Sequence, residues 1–291
     1  MQILFAQHRG LCFGVRDALA LTETLAQRQP TTVLGQLAHN PAIQRRLAVH
    51  HVQTIPLEDN DAPTKDVVIT AHGAAEAQTR RWRDNGYRVH DATCPLVRKA
   101  HQALKALVEQ KFFPVVIGQS NHVEVRGLVG DYPQAFVFLE PAELVNLPQA
   151  FHYGVVSQTT QPIDRVHYLV GEIRRARPRA EVRFLDTVCQ PTKNRQQAVR
   201  ELAAQVDLVL VVGGKNSNNS RELCQAAEGM GCRARLVEAP KDLQPDWFMG
   251  IERLGISAGT STPQQVIAEV AEACREIGSQ GLAQPSRSKD S

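Results

Sequence analysis

No segment of the 291-residue sequence approaches the roughly 20 consecutive apolar residues that cross a bilayer. The opening Met1-Gln2-Ile3-Leu4-Phe5 lacks the basic start and apolar core of a signal peptide, so a soluble, cytoplasmic protein is expected. An excess of one charge is missing too. The 33 Lys and Arg residues are matched by 30 Asp and Glu, for a net charge of +3, which gives no reason to expect nucleic-acid or membrane-surface binding. No two cysteines have the C-x-x-C spacing that structural zinc favours. The Walker A ending and the G-x-G-x-x-G fingerprint are both absent, so neither nucleotide motif can be invoked.

What is present is an ordinary globular profile, 43% hydrophobic and 22% charged, enough to bury a full core. Short apolar runs alternate with helical patterns. Ile3–Ala6, Val67–Thr70, Pro114–Gly118, Leu208–Gly214 and Leu254–Gly259 read as strands, while Val15–Gln27 and the Arg-rich segment through Arg83 read as helices. Such βα units predict an α/β protein with parallel sheets buried on both faces.

Several strands end in a small residue and a polar cluster before the next helix: Ala71-His72-Gly73, Gly118 to His122, Gly213 to Ser217 and Ala258 to Ser261. Cys12, Cys94 and Cys189 likewise follow strand-like segments at two similar, domain-sized intervals. This echo predicts three small α/β lobes, each giving one cysteine to a shared centre. The expected division is roughly 1–95 with the C-terminal segment, 96–190 and 191–278, forming one functional unit. The polar stretch 279–291 is expected to be a flexible tail.

In a reducing compartment the six cysteines are not expected to form a disulfide framework. Cys224, Cys232 and Cys274 sit in or beside helical patterns and read as small buried hydrophobes. Cys12, Cys94 and Cys189 each lie in a strand-to-helix turn near Gly10, Gly14, Pro95 or Pro191. Residue type and spacing leave core filler and metal ligand both open for these three. A cluster held by three thiolates would leave one iron for substrate, combining Lewis acidity with electron delivery.

Histidines recur where strands meet helices, at His39-Asn40, His72-Gly73 and His122-Val123-Glu124. Imidazoles, hydroxyls and backbone amides at helix N-termini suit a diphosphate, because the helix end carries partial positive charge and unsatisfied N–H donors. Gly213-Gly214-Lys215-Asn216-Ser217-Asn218-Asn219-Ser220 has the same character, although an ordinary capped turn is the bland alternative. Ser261 repeats the pattern more weakly. Glu124 is the acid placed amid these donors, and desolvation there would raise its pKa toward neutrality.

At these residues the sequence resembles the 4-hydroxy-3-methylbut-2-enyl diphosphate reductase family, also called LytB or IspH. The resemblance rests on Arg9-Gly10-Leu11-Cys12-Phe13-Gly14-Val15, His39-Asn40, Ala71-His72-Gly73, Asp91-Ala92-Thr93-Cys94-Pro95-Leu96-Val97 and Asn121-His122-Val123-Glu124-Val125. It continues through Ser157-Gln158-Thr159-Thr160, Cys189 with Thr192-Lys193-Asn194-Arg195-Gln196, Gly214-Lys215-Asn216-Ser217 and Ala258-Gly259-Thr260-Ser261. The motifs run in family order to about residue 275.

The resemblance implies a pseudo-threefold trefoil of three α/β lobes around one central [4Fe–4S] cluster. Its ligands would be Cys12, Cys94 and Cys189, with one iron open. It also implies diphosphate binding by His39, His72, His122, Ser217, Asn218, Asn219 and Ser261, Thr159 near the substrate hydroxyl, and Glu124 as proton-supplying acid. The implied reaction is reductive dehydroxylation of an allylic diphosphate to isopentenyl and dimethylallyl diphosphates, the last step of the methylerythritol phosphate route. With no flavin or NAD motif in the chain, a separate electron donor of ferredoxin or flavodoxin type is implied.

Three departures from the family pattern stand out. Asn218 replaces a usual serine, Val123 replaces a proline in the turn that aims Glu124, and Pro191 is less typical after Cys189. They leave open a divergent Fe–S paralogue acting as a lyase or as a diphosphate-binding redox sensor.

Overall fold

The computed structural model describes residues 1–38 and 40–280. In chain order it runs β1 (Gln2–Phe5), α1 (Phe13–Ala26), β2 (Thr31–Leu34), α2 (Pro41–Val49), β3 (Gln53–Ile55), β4 (Asp66–Ile69), α3 (Glu76–Asp84) and β5 (Arg88–Asp91). Then come α4 (Pro95–Glu109), β6 (Phe113–Ile117), α5 (Val123–Val129), β7 (Phe136–Phe138), β8 (His152–Ser157), α6 (Ile163–Ala176) and β9 (Glu181–Phe184). The chain finishes with α7 (Gln190–Ala203), β10 (Leu208–Val212), α8 (Asn218–Glu228), β11 (Arg233–Val237), β12 (Arg253–Ala258) and α9 (Gln264–Gln280). Among the described residues no helix is long and apolar enough to cross a membrane.

The strands form three four-stranded sheets, β3-β2-β4-β5, β7-β6-β8-β9 and β11-β10-β12-β1, and every pair is parallel. All three share one order. The second strand lies outside the first, the third and fourth lie on the other side, and β1 supplies the fourth strand of the last sheet. The expectation grouped residues 1–95 with the C-terminal segment; the sheets instead group β1 with β10 to β12, while residues 31–91 hold a sheet of their own. The α/β class and the three parallel sheets are as the sequence predicts.

The inner strands are buried along all or nearly all of their length, wholly so in Leu208–Val212 and Asp66–Ile69, because helices cover both faces of a parallel sheet. Edge strands such as β9 alternate between exposed and half-buried residues. Helix α4 shows how the covering layer is written. Val97, Ala100, Leu104 and Leu107 are buried, recurring at helical spacing on one face. The face closes on β8 at Gly154, where a Cβ would stand 2.8 Å from Leu107 Cβ. Gly255 does the same in β12, with its added Cβ 2.9 Å from Leu202 of α7. Truncating a buried leucine in such a layer to alanine costs about 2–5 kcal/mol.

The chain divides into two compact units, one of residues 12–38 and 43–193, the other of Met1–Leu11 with 40–42 and 194–280. The first contains two of the sheets, with cores around Val115, Tyr153 and Leu169, around Leu104 and Leu128, and around Trp82 and Ile69. The second contains the remaining sheet between two apolar layers, one including Val270 and Cys274 of α9 and the other Val199 and Leu223.

Candidate functional site

The repeated strand order turns the scattered motifs into a system. In a sheet ordered second-first-third-fourth, the connection direction reverses between the first and third strands, and ligands gather beyond the carboxyl ends at such a switch point. His122 follows the first strand of its sheet and Ser217 the first strand of another. His72, Thr159 and Ser261 each follow a third strand, β4, β8 and β12. Cys94, Cys189 and Cys12 each follow a fourth strand, β5, β9 and β1. His39, which follows β2 in the sequence, lies outside the described residues.

The cysteines share a second feature. Cys12 and Cys94 are the N-caps of α1 and α4, and Cys189 immediately precedes α7. A helix N-terminus stabilises negative charge, hence a thiolate. All three are partly buried and unpaired by disulfide. Burial raises the Cys94 thiol, which also feels the charges of Cys12 and Glu124. Burial pushes Cys189 up to about 11, with Glu124 and Cys12 again adding to the rise. Cys94 and Cys189 are thus each within electrostatic reach of Cys12 and Glu124 inside one compact unit.

Gly14, in the first turn of α1, has no side chain beside Cys94; a Cβ there would lie 2.5 Å from the Cys94 Sγ. That close approach brings the helix start after Cys12 against the second sulfur. The remaining cysteines behave as the sequence predicts for core residues. Cys232 and Cys274 are buried, and burial pushes Cys224 and Cys274 up to about 12.

Among the described residues no group of three or more His, Cys, Asp or Glu side chains is close enough to hold a single metal ion. An iron–sulfur cluster asks for something else, since each thiolate binds its own iron and the sulfurs stand further apart than ligands of one ion. Three partly buried thiols at helix N-termini, in one compact unit, fit that donor set.

Glu124 is 3% exposed and sits in the first turn of α5, whose N-cap is His122. One carboxylate oxygen accepts the Thr159 N–H at 2.6 Å and the other accepts the Thr159 hydroxyl at 3.0 Å. Desolvation dominates these two bonds and raises Glu124 from 4.5 to about 7. The Thr159 carbonyl in turn accepts the Cys189 N–H at 3.0 Å. Acid, hydroxyl and ligand turn form one chain of contacts. Val123 opens α5 where the family pattern has a proline, and Glu124 is held at both oxygens.

His122 Nδ1 accepts the Glu124 N–H at 3.1 Å. An accepting Nδ1 leaves the ring proton on Nε2, which makes that nitrogen a donor. The rings of His122 and His72 meet edge to face with centroids 5.8 Å apart. Two further contacts support this pairing. An added Cβ at Gly127 of α5 would lie 3.3 Å from Ala74 Cα, and one at Gly130 would lie 2.7 Å from Ala75 Cβ.

The other unit carries Ser217, Asn218, Asn219 and Ser261, all buried. Ser217 caps α8, its hydroxyl accepting the Ser220 N–H at 3.3 Å. Asn219 occupies the position that Glu124 has in its own sheet, and it makes the same hold: its side-chain oxygen accepts the Thr260 N–H at 3.0 Å. Added Cβ atoms at Gly213 and Gly259 would come within 2.2 and 2.1 Å of Ser220 Oγ, so both turns close tightly over the helix start. Asn219 Nδ2, Ser220 Oγ and Ser261 Oγ are buried without a hydrogen-bond partner among the described residues. An unmet buried donor costs about 1–3 kcal/mol, and two at the start of α8 with a third in the turn after β12 fit a polyanion better than they fit a finished protein interior.

Thr192 has no role in the sequence reading beyond its place in a motif, and Asp186 is not singled out there. Thr192 stands 3.0 Å from Cys189 Sγ through its hydroxyl. Asp186 accepts the Val188 N–H at 3.0 Å, as Asp91 accepts the Thr93 N–H at 2.9 Å. The signal that could have found Asp186 is the shared spacing of an aspartate three residues before each of two cysteines.

Comparison with known proteins gives a consistent set. The family model described as LytB protein matches residues 3–275. The 4-hydroxy-3-methylbut-2-enyl diphosphate reductase of Vibrio cholerae is 34% identical, covering 96% of this chain and 91% of its own. The enzyme of the same name from Aquifex aeolicus is 36% identical, covering 95% and 97%. Among solved structures, the E-1-hydroxy-2-methyl-but-2-enyl-4-diphosphate reductase from Plasmodium falciparum superposes with a TM-score of 0.86 at 25% identity, over 93% of this chain and 87% of that one. A structure of (E)-4-hydroxy-3-methyl-but-2-enyl diphosphate reductase, described as the terminal enzyme of the non-mevalonate pathway, gives 0.68 at 34% identity, over 94% and 99%.

Proposed function

The chain belongs to the LytB protein family, and from that premise we propose that it is the 4-hydroxy-3-methylbut-2-enyl diphosphate reductase of the methylerythritol phosphate route. The reaction consumes the allylic alcohol diphosphate, two electrons and two protons, and yields isopentenyl or dimethylallyl diphosphate plus water. Cys12, Cys94 and Cys189 are the proposed ligands of one [4Fe–4S] cluster with an open iron, which when bound supplies the electrons and a Lewis-acidic corner. An external carrier of ferredoxin or flavodoxin type is the proposed electron source. Residues 1–278 are proposed to act as one functional unit.

The observation that carries this reading is the hold on Glu124. A carboxyl raised to about 7 by burial is half protonated near neutrality, where a general acid works best. Its proton goes to the substrate hydroxyl as the C–O bond breaks, so that water leaves in place of hydroxide. The Thr159 N–H fixes one oxygen of the acid and the Thr159 hydroxyl lies beside the other, positioned to contact the same substrate oxygen. Protonation of the resulting allyl fragment at one end or the other gives the two products. His39, His72, His122, Ser217, Asn218, Asn219 and Ser261 are the proposed diphosphate ligands. Their contacts are unchanged by the chemistry, so they bind and orient more than they accelerate.

The test is anaerobic reconstitution followed by a product assay with and without reduced ferredoxin, flavodoxin or dithionite. Product that depends on reductant is the expected result. Turnover without reductant would indicate a lyase, and binding without product a sensor.

A further inference from the structure

Two of the three cysteine turns are built on one plan that is not used at the third. Asp91 lies three residues before Cys94 and Arg98 four after; Asp186 lies three before Cys189 and Lys193 four after. In each turn the aspartate accepts the N–H of the residue just before the cysteine, Thr93 at 2.9 Å and Val188 at 3.0 Å. In each turn it also pairs with the base across the cysteine, Arg98 at 2.9 Å and Lys193 at 2.5 Å. The base's own N–H donates to the cysteine carbonyl, at 2.9 Å from Arg98 and 3.2 Å from Lys193. Arg98 tightens its turn further by donating to the carbonyls of Asp91 and Thr93 at 3.1 and 3.2 Å. At Cys12 the residue three before is Arg9, and Arg16 pairs with its neighbour Asp17.

We infer that Asp91–Arg98 and Asp186–Lys193 are clasps that fix the Cys94 and Cys189 turns and add no net charge of their own beside these ligands. All four are positioning residues. The inference rests on the cluster assignment made above. Partly exposed ion pairs add little to global stability, so a mere stability device is a poor explanation for the same pair built twice around the same residue type. A fixed charge near an iron–sulfur cluster does matter, because net charge and hydrogen bonding at the sulfurs set its reduction potential. An isolated aspartate would lower the potential and an isolated lysine or arginine would raise it; the pair leaves it near neutral. The two halves of each clasp therefore have opposite electrostatic effects and the same mechanical one.

That difference gives the experiment. Asp186→Asn, Lys193→Met and the double variant are reconstituted anaerobically in the full chain, and the potential is read by EPR-monitored titration. Asp186→Asn is expected to shift it positive, Lys193→Met negative, and the double variant back toward the parent value. Asp91→Asn and Arg98→Met should repeat the pattern. Shifts of one sign, or none, at parental iron content would overturn the electrostatic role. The mechanical role is read without a cluster, as the alkylation rate of Cys189 by iodoacetamide in the iron-free chain, followed by mass spectrometry against Cys224. Either single variant should speed it severalfold, and an unchanged rate overturns the clasp. A parent chain that takes up no iron and sulfide would sink the functional reading while this second measurement still judged the clasp.

Discussion

Glu124 carries the clearest prediction at the scale of single residues. Its pKa, raised from 4.5 to about 7, makes the protonated form the working acid, so turnover should fall as pH rises through 7. Glu124→Gln should cut turnover by about 10²–10⁴-fold, the usual contribution of a positioned acid, and flatten that limb of the pH profile. The same shift carries a stability cost with a definite sign. Between pH 4.5 and 7 the folded chain holds a proton that the unfolded chain has released, so stability falls as pH rises through this window and stays lowered above it. Glu124→Gln should therefore raise the melting temperature at pH 8, by an amount equivalent to about 1–3 kcal/mol, and do little at pH 4. An unchanged profile and melting temperature would remove the assignment. Gly14→Ala tests the cysteine geometry: the new methyl would be 2.5 Å from Cys94 Sγ, an overpacking that costs about 1–3 kcal/mol, with lost iron binding expected. The motifs single out the cysteines, Glu124 and Thr159 in the sequence. The hold of Thr159 on Glu124 is not legible there, because a bond across 35 residues leaves no local spacing to read.

At the scale of elements, α3 shows how much of the site is supported from a distance. Its N-cap is Ala75, which offers no side-chain acceptor. The role is filled by Asp131, beyond the end of α5, whose carboxylate accepts the Glu76 N–H at 2.7 Å and the Ala77 N–H at 2.9 Å. Asp131→Ala should cost about 0.5–2 kcal/mol, the range for a lost cap. Because α3 follows the His72 turn, it should also raise KM for the diphosphate more than it lowers kcat. A KM at the parent value would mean that the cap serves the fold alone. Strands β4, β6, β10 and β12 were legible because each carries a short, largely apolar run followed by small or polar residues. Strands β2, β3, β7, β8 and β11 were not singled out. β3 and β7 have three residues each, too short for a period to show. β8 contains Gly154, which weakens a strand pattern and is there to admit α4.

At the scale of the whole molecule, the same strand order used three times accounts for the sequence echo, with β1 completing the last sheet from the far end of the chain. The sequence suggested three lobes but could not assign β1, since pairing between residues 2–5 and 253–256 is a long-range fact. Met1 lies against the end of α9, where a Cβ added to Gly278 would be 3.2 Å from its side chain. A circular permutant joining Gln280 to Met1 by a short linker and opened in the exposed loop at Asn60 should fold and keep its iron. A permutant that fails to fold would argue against β1 as the natural fourth strand.

Whether three distant thiolates hold one cluster is decided by the iron and sulfide bound per chain after anaerobic reconstitution of the parent, Cys94→Ser and Cys232→Ser. The parent and Cys232→Ser should bind iron and sulfide in equal amounts and show the same charge-transfer absorption, while Cys94→Ser should lose both. Equal cluster content in the two variants would contradict a cluster held by these three thiolates.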